Sequence, residues 1–281
     1  MAQDTVFYQK IKRIFEQRSS PLIMGILNVT SDSFFDGGKY TEEQAWLEHA
    51  GKMIREGATI IDVGAYSTRP GAKDIPVSQE TEQLTRTIAS LRKAFPETLI
   101  SADTFRASVA EKAIQAGANI INDISGGTMD EAMFQTVADL KVPYILMHIQ
   151  GTPATMQQNP QYKNVTEEVL SFFSEKLSML KKLGAEQVIL DPGFGFGKTV
   201  EHNFQLLKNL DQFQRFGKPV LAGFSRKSMI NKLLNISSKD SLNGTSVLNT
   251  IALQKGASIL RVHDVKEAQE VIQITHYLNQ L

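Results

Sequence analysis

The chain repeats a short pattern in which a glycine separates an amphipathic segment from an apolar run with a polar end. Its clearest copy is Ala116-Gly117-Ala118-Asn119-Ile120-Ile121-Asn122-Asp123. A similar Gly-Ala step occurs at Glu56-Gly57-Ala58, Leu183-Gly184-Ala185 and Lys255-Gly256-Ala257, each time just before another apolar run. Glycine readily adopts the left-handed conformation that ends many helices, so the pattern predicts a helix that stops just before a strand begins.

Eight such apolar, β-branched runs are predicted to be strands. They are Leu22–Asn28, Thr59–Gly64, Leu99–Asp103, Asn119–Asp123, Pro143–His148, Gln187–Asp191, Pro219–Gly223 and Ser258–His263. Segments with helical periodicity, such as Glu42–Arg55 and Glu168–Leu183, lie between them. Strands that alternate with helices require crossover connections, and continuous apolar runs suit strands buried on both faces, so the sheet is expected to be parallel.

This repeat predicts a closed (β/α)8 TIM barrel. Eight units in 281 residues give about 35 residues each, the usual size of a βα unit in such a barrel. A doubly wound open sheet is the competing fold, but no linker or compositional break divides the strands. We therefore expect a single domain over residues 1–281, with an extra N-terminal helix within Met1–Ser20.

The composition argues against several classes of protein. Thirty basic and thirty acidic side chains give a net charge of zero, whereas nucleic-acid-binding proteins need a basic excess. The sequence contains no cysteine, so disulfides, thiolate metal sites and cysteine nucleophiles are excluded. It shows no signal-peptide pattern and no run of about 18 apolar residues, so we expect a cytoplasmic protein that binds no membrane.

Polar side chains stand at the ends of the predicted strands. In a TIM barrel the catalytic groups gather at the carboxyl ends of the strands, so these residues predict an active site at that mouth. Each one alone has a structural explanation, such as a helix cap, but that explanation does not predict their convergence. In chain order they are Asn28, the loop Tyr66-Ser67-Thr68-Arg69-Pro70-Gly71, Asp103, Asn122, His148, Asp191, Lys227, and Arg261 with His263.

Two opposite chemistries are predicted at this mouth. Arg261 and His263 leave the same face of the last strand, and with Lys227 they form a cationic corner where TIM barrels commonly bind phosphate. The helices capped by Ser225 and Asp264 are expected to attract anions as well. A second group, Asp103, Asn122 and Asp191, suits a planar heterocycle that is rich in hydrogen-bond donors, although satisfied core hydrogen bonds remain an alternative.

Loops near the mouth add further candidates. Arg69 is either a movable clamp on a phosphate or a solvated loop charge. Asn28 and the oxygens of Thr30-Ser31-Asp32-Ser33 suit Mg²⁺ that is held jointly with substrate phosphates.

The glycine-rich segment after the sixth strand imitates two nucleotide-binding motifs. Gly195-Phe196-Gly197-Lys198-Thr199 resembles a Walker phosphate loop, but Pro192 stands where that pattern requires glycine. Gly193-Phe194-Gly195 begins like a dinucleotide fingerprint, whose third glycine is here replaced by lysine. The glycines instead predict a close approach of the backbone and a phenylalanine, Phe194 or Phe196, that faces a planar ring.

Taken together, these motifs resemble the dihydropteroate synthases, in the family's order over residues 22–265. The matching segments are Met24-Gly25-Ile26-Leu27-Asn28-Val29-Thr30, Asp32-Ser33-Phe34, Asp36-Gly37-Gly38, Ser67-Thr68-Arg69-Pro70-Gly71, Ile121-Asn122-Asp123, Met147-His148, Asp191-Pro192-Gly193-Phe194-Gly195-Phe196, Ser225-Arg226-Lys227-Ser228 and Arg261-Val262-His263-Asp264. The resemblance implies an enzyme of folate biosynthesis that joins (7,8-dihydropterin-6-yl)methyl diphosphate to 4-aminobenzoate and releases diphosphate with the assistance of Mg²⁺.

By matching position, the resemblance also assigns roles to residues. The pterin would contact Asp103, Asn122, Met147, Asp191, Phe196, Gly223 and Lys227. The diphosphate would contact Asn28, Thr68, Arg69, Arg261 and His263, and Asn28 would also bind the metal. The aminobenzoate would lie beside Phe34, Thr68, Pro70, Lys227 and Ser228. The residues expected to be catalytic are Asp103, Lys227 and Arg69.

The family mechanism is implied to be a dissociative displacement, in which diphosphate leaves before the aryl amine captures the pterin-methylene cation. Cations that receive the diphosphate and carboxylates that face the pterin suit such a reaction. The resemblance further implies a homodimer. Tyr66, Ser31 and Phe35 depart from the family's usual residues, which puts loop closure and the affinity for aminobenzoate or sulfonamides in question.

Two alternative functions stay open. One is a non-catalytic pterin-binding relative, and the other is a barrel that transfers a methyl group from a methyl-pterin to a corrinoid protein. Neither would need contacts to diphosphate. The chain keeps Asn28, Arg69, Arg261 and His263, which favours the synthase.

Overall fold

The predicted strands form one parallel sheet that closes on itself. The computed structural model describes residues 2–16, 20–29, 39–66 and 74–281. Its strands are β1 (Leu22–Asn28), β2 (Ile60–Gly64), β3 (Leu99–Asp103), β4 (Ile120–Asp123), β5 (Tyr144–Met147), β6 (Val188–Asp191), β7 (Leu221–Ala222) and β8 (Ile259–Val262). They are hydrogen-bonded in the order β6-β5-β4-β3-β2-β1-β8-β7.

The two ends of this order meet between β6 and β7. Leu190 forms a parallel bridge with Val220, and its amide donates to the carbonyl of Pro219 at 2.9 Å. This closure confirms the TIM barrel and excludes the doubly wound sheet. The ladder is shortest here, which is why β7 covers only two residues of the predicted Pro219–Gly223.

Helices alternate with the strands on the outside of the barrel. They are α1 (Ala2–Phe15), α2 (Lys39–Arg55), α3 (Val77–Ala94), α4 (Ala107–Gln115), α5 (Met133–Leu140), α6 (Val165–Lys182), α7 (Val200–Lys208), α8 (Ser228–Leu234), α9 (Leu242–Gln254) and α10 (Val265–Leu278). Short 3-10 helices cover Leu210–Phe216 and Ser238–Asp240. None of the helices in the described ranges is long and apolar enough to cross a membrane.

The glycines that follow the helices end them as the sequence predicts. Gly117 has a φ of 112° and donates its amide to the carbonyl of Ile114, while Ala118 donates to that of Ala113, each at 3.0 Å. The glycines at 57, 184 and 256 also have positive φ. Because this conformation satisfies the last carbonyls of the helix, the chain turns directly into the next strand.

The barrel interior has two layers of different character. The lower layer is apolar and consists of Leu22, Met24, Ile60, Leu99, Ile120, Ile145, Ile189, Leu221 and Ile259. Since side chains alternate along a strand, the residues two positions later form the next interior layer, nearer the carboxyl ends. There the sequence changes to Ile26, Asp62, Ser101, Asn122, Met147, Asp191, Gly223 and Arg261. A polar upper layer therefore rests on an apolar floor.

The N-terminal helix covers the lower end of the barrel. Ile14 of α1 is buried in the apolar floor, and Phe7, Ile11 and Phe15 pack against the same cluster. The guanidinium of Arg92 lies 4.5 Å from the centre of the Phe7 ring, which ties the helix to α3. The extra helix predicted from the sequence is thus confirmed, and its apolar face shields the barrel floor from water.

Candidate functional site

Polar side chains of the upper layer meet across the barrel interior. Arg261 of β8 donates from Nε to Oδ2 of Asp62 at 2.7 Å and from Nη2 to Oδ2 of Asp103 at 2.8 Å. The amide Nδ2 of Asn122 also donates to Oδ2 of Asp62, at 3.0 Å. Since β8 pairs with neither β2 nor β3, these bonds pass through the lumen. Four strands thereby contribute to one network.

The network contains one carboxyl group that can exchange a proton near neutral pH. Burial and the neighbouring charge of Asp62 raise the pKa of Asp103 to about 7, although Arg261 acts in the opposite direction. For Arg261, burial disfavours the charge, but the attraction of Asp62 and Asp103 outweighs it and raises the pKa of the guanidinium. Arg261 therefore stays positively charged while Asp103 titrates.

A second acid and a lysine lie at the ends of β6 and β7. Asp191 is buried, and its Oδ1 accepts the amide of Gly193 at 2.8 Å. Burial raises the pKa of Asp191, and the charge of Lys227 opposes that rise. Burial likewise lowers the pKa of Lys227 to about 8, and here Asp191 opposes the shift. The charge of each group therefore favours the ionised form of the other.

Lys227 is held by the glycine-rich segment that follows β6. Its Nζ donates to the carbonyl of Phe194 and lies 4.5 Å from the centre of the Phe196 ring. Phe194 is wholly buried in the main hydrophobic core, where its ring lies 4.4 Å from that of Phe224 at an interplanar angle of 47°. Of the two phenylalanines that the sequence offers to a planar ring, Phe196 is the one beside the site.

The conformation of this segment depends on its glycines and on Lys198. Gly193 has a φ of 71°, and a β-carbon there would lie 1.9 Å from the carbonyl oxygen of His148. Lys198 is 3% exposed and donates to the carbonyls of Gly193 at 2.9 Å, Phe196 at 3.0 Å and His148 at 3.3 Å. The lysine that imitates a Walker motif is therefore a buried structural group.

His148 does not point into the mouth, contrary to the prediction for polar residues at strand ends. Its ring lies 5.0 Å from that of Phe172 on α6, and its Nδ1 is 3.0 Å from Nζ of Lys198. The preceding residue, Met147, takes the inward position, and alternation along the strand turns His148 outward. Burial lowers the pKa of His148 well below its ordinary value, so the ring is neutral.

The end of β8 also differs in detail from the prediction. Ser225 does not cap a helix, because its hydroxyl lies 2.9 Å from Nδ1 of His263 and accepts the amide of His263 at 3.1 Å. Asp264 stands at the start of α10 without making a capping hydrogen bond. Its carboxylate is engaged by Arg226 at 2.6 and 3.1 Å. The two contacts with Ser225 hold His263 at the rim beside Arg261.

An apolar wall borders the polar network. Met147 belongs to a cluster with Phe105, Ile124, Ile149 and Met156, and Phe196 packs against it. Tyr66 lies at the edge of this cluster, with its ring 5.1 Å from that of Phe105 and edge to face. A flat aromatic ligand would therefore meet apolar side chains beside hydrogen-bonding groups.

The remaining predicted residues lie at the rim or outside the described part of the chain. Asn28 is exposed at the end of β1, and Ser228 is exposed at the first position of α8. A β-carbon on Gly223 would lie 3.8 Å from both Lys227 and Arg261, which places this glycine between them. The predictions for Thr30, Ser31, Asp32, Ser33, Phe34, Phe35, Thr68, Arg69 and Pro70 lie outside the described residues.

Asp62 is a site residue that the sequence interpretation missed. It stands in the middle of the apolar run Ile60–Gly64, and a search for polar residues at strand ends does not find it. The available signal was an acid inside a strand expected to be buried on both faces, because buried carboxylates need partners. Lys198 is a second such residue, because the sequence suggests no role for it beyond an incomplete nucleotide-binding motif.

Comparison with known proteins places the chain among pterin-binding proteins. Residues 24–263 match the family described as pterin binding enzyme. The dihydropteroate synthase of Escherichia coli K12 is 44% identical over 258 residues, which cover 91% of each chain. That of Haemophilus influenzae is 43% identical over 91% of this chain and 93% of its own length.

Solved structures agree with this placement. The dihydropteroate synthase of Yersinia pestis in a sulfonamide drug complex superimposes with a TM-score of 0.87 at 39% identity, covering 93% of this chain and 95% of its own. The enzyme of Xanthomonas albilineans in complex with 7,8-dihydropteroate gives a TM-score of 0.83 at 34% identity, over 93% and 94% of the two chains.

Proposed function

The chain belongs to the dihydropteroate synthase family, and from that premise we propose that its barrel mouth is the active site. There (7,8-dihydropterin-6-yl)methyl diphosphate would react with 4-aminobenzoate to give 7,8-dihydropteroate and diphosphate. The observation that carries this assignment is the network of Arg261, Asp62, Asp103 and Asn122 inside the lumen, with Asp191 and Lys227 beside it. It brings acids and cations together at the carboxyl end of the barrel interior.

The pterin is assigned to the interior of the mouth. Its donor-rich edge suits the carboxylates of Asp103 and Asp191 and the amide of Asn122. Lys227 would donate to the ring carbonyl, and the negative charge of Asp191 favours the protonated amine that this requires. Met147, Phe196 and Gly223 would border the ring, since the first two form an apolar wall and the third admits a close approach.

The diphosphate is assigned to the rim at β1 and β8. Arg261 and His263 leave the same face of β8, and Asn28 lies at the end of the adjacent β1. Thr68 and Arg69 would complete this subsite, and Arg69 with Lys227 and Asp103 would be the groups that act on the reacting bond. Phe34, Thr68, Pro70, Lys227 and Ser228 would receive the aminobenzoate.

Mg²⁺ is part of the proposal, and the donor groups suit it. Within the described ranges no cluster of three His, Asp or Glu side chains is found that would cage a metal. Asn28 provides one hard oxygen at the rim, and Mg²⁺ is usually held by few protein ligands together with substrate phosphates and water. When bound, the metal would neutralise charge on the departing diphosphate.

The reaction is proposed to proceed by dissociative displacement. The C–O bond to the diphosphate breaks first, and Arg261, His263 and Lys227 stabilise the departing negative charge. Asp103 and Asp191 stabilise the pterin-methylene cation that remains. The neutral aryl amine then forms the C–N bond, and its proton passes to water or diphosphate, so no catalytic base is required.

The experiment that tests the assignment measures diphosphate release from the pterin diphosphate in the presence of Mg²⁺. Release should depend on 4-aminobenzoate and should form dihydropteroate in equal amount. A non-catalytic pterin-binding protein would bind the pterin without release, and a methyltransferase would ignore the aminobenzoate. Either outcome would refute the proposal.

We also propose an oligomeric state, a domain organisation and a cellular location. A homodimer is supported by exposed apolar side chains on adjoining helices α9 and α10, among them Val247, Ile274, Tyr277 and Leu278. Equilibrium sedimentation of the wild type and of Ile274→Asp would test it, because a monomeric wild type contradicts the dimer. We further propose a single domain over residues 1–281, which limited proteolysis tests, and a cytoplasmic location, which cell fractionation tests.

A further inference from the structure

Asp62 is a wholly buried acid for which the proposed reaction has no role. It belongs to the upper interior layer, where it pairs in register with Ser101 of β3. Asp103 lies two residues further along β3, at the level of Gly64. Asp62 therefore sits one step deeper in the lumen than Asp103.

The hydrogen bonds of Asp62 fix the orientation of two groups in its own interior layer. Because Nδ2 of Asn122 donates to Asp62, the carbonyl Oδ1 of that amide is directed elsewhere, as an acceptor. Because Arg261 donates from Nε and Nη2, the side edge of its guanidinium faces the two acids. Its Nη1 group then points away from them, and a planar guanidinium held in this way has a defined direction of donation.

From this geometry we propose that Asp62 is a positioning residue of the pterin site, which orients Asn122 and Arg261 through hydrogen bonds to its carboxylate and acts on Asp103 through its negative charge. The inference rests on the proposed assignment of the pterin to the lumen. Asp62 itself is not expected to touch the ligand. It acts through its two hydrogen-bond partners and through its negative charge.

The charges around Asp103 support the second part of the proposal. Asp62 of β2 raises its pKa and Arg261 of β8 lowers it, while Glu80 of α3 and Asp123 of β4 raise it to a smaller extent. Lys227, at the start of α8, also interacts with it. Asp62 is the largest of the charged influences that favour the protonated acid, and it shares Arg261 with Asp103.

Asp62→Asn removes the charge and keeps the size and one acceptor oxygen, so it separates charge from packing. The probe is 6-hydroxymethylpterin, which carries neither diphosphate nor aminobenzoate, and its affinity is measured by calorimetry between pH 8 and pH 6. If ionised Asp103 accepts a hydrogen bond from the pterin, the wild type should lose about tenfold in affinity over this range, as expected for a pKa of about 7.

In Asp62→Asn, loss of the neighbouring charge should lower the pKa of Asp103 by about one unit, so the same change of pH should cost only about twofold. Affinity at pH 8 should fall by about tenfold, because neutral acceptors hold Asn122 and Arg261 less firmly than a carboxylate does. KM for the pterin diphosphate should rise, whereas KM for aminobenzoate should stay the same. Ser101→Ala, which changes an uncharged group in the same layer, is the matched control and should keep the wild-type pH profile.

An unchanged pH profile together with unchanged affinity at pH 8 in Asp62→Asn would overturn the proposal. A different result is expected if the pterin does not bind in the lumen at all. In that case Asp103→Asn, in the otherwise native protein, would leave pterin binding intact. If Asp62→Asn does not fold, carboxyl ¹³C NMR of the wild type decides the matter. A signal that titrates near pH 7 and disappears in Asp103→Asn supports the proposal, and an Asp103 that stays ionised below pH 5 refutes it.

Discussion

Nζ of Lys198 lies 3.0 Å from Nδ1 of His148, at a place where both side chains are buried. When Lys198 is protonated, its ammonium donates and the neutral ring accepts, which places the proton of the imidazole on Nε2. Through its further bonds to the carbonyls of Gly193 and Phe196, Lys198 joins the end of β5 to the segment after β6. That segment in turn positions Asp191 and Lys227.

We therefore expect Lys198→Met to loosen the site without removing any group assigned to substrate. The substitution leaves buried carbonyls without their donor, so the free energy of unfolding should fall by roughly 3 kcal/mol. kcat/KM should fall as well, because Asp191 and Lys227 lose their fixed support. Lys198→Arg, which keeps the charge, should recover part of the stability. Urea unfolding and steady-state kinetics check both variants, and wild-type values for Lys198→Met would contradict the role.

The pH dependence of stability gives a second test of Lys198. Burial lowers its pKa in the folded protein to about 7, from an ordinary value of 10.5. Between these two values the unfolded chain holds a proton that the folded chain has released, so stability should rise with pH in this range. Lys198→Met lacks this contribution, and its unfolding free energy should rise less steeply from pH 7.5 to 9.5. Equal slopes would show that Lys198 keeps its proton when folded.

The next prediction concerns the acid and the lysine assigned to the pterin. Asp191→Asn or Lys227→Ala should lower turnover by about 100-fold or more, as expected when a preorganised electrostatic contact is lost. Arg226→Ala is the matched control, because this neighbouring cation is 40% exposed and pairs with Asp264 at the rim. Kinetics close to wild type in either site variant would remove the pocket assignment.

Much of the fold follows from the sequence because local signals agree with each other. The glycine at position 117 ends a helix, the run at Ile120–Asp123 is short and mostly apolar, and the same order of helix, glycine and strand recurs around positions 57, 184 and 256. The short β7 was less predictable, since its length depends on how β6 and β7 meet across the closure. That geometry is a property of the whole barrel.

The site was predictable where a polar residue ended a strand and unpredictable where it did not. Asp103, Asn122 and Asp191 stand at strand ends, where the fold itself directs attention. Asp62 lies within an apolar run, and its hydrogen-bond partners Arg261 and Asn122, which come from other strands of the barrel, explain its presence. His148 obeys the strand-end rule in sequence but faces outward, because a shift of one residue reverses the direction of a side chain.

The N-terminal helix yields a prediction about stability alone. Ile14→Ala should lower the unfolding free energy by about 2–4 kcal/mol, because it opens a cavity in the barrel floor. kcat should not change, since the floor lies below the polar layer. Tyr8→Ala is the control, because that side chain is 63% exposed and should have little effect. Equal loss in both variants would show that α1 does not seal the barrel through Ile14.

The last prediction concerns Arg261, which is paired with acids yet assigned to the diphosphate. In Arg261→Gln, Asp103 loses its attracting cation while Asp62 continues to repel its charge, so the pKa of Asp103 should rise above 7. Binding of a bare pterin should then weaken at pH 7 and recover at higher pH. The pH profile of binding thus moves to higher pH, whereas in Asp62→Asn it should move to lower pH. The affinity for the pterin diphosphate should fall by about a further tenfold at every pH, because a charge-assisted contact to phosphate is gone.

Calorimetry with the two ligands between pH 6 and pH 9 separates these effects. Arg226→Gln serves as the control, because it removes a cation from the same rim without touching Asp62 or Asp103. A pH profile that does not move would mean that Arg261 has no influence on Asp103. Equal losses for both ligands at high pH would place Arg261 outside the diphosphate subsite, since only a ligand with phosphates can report a contact made to them.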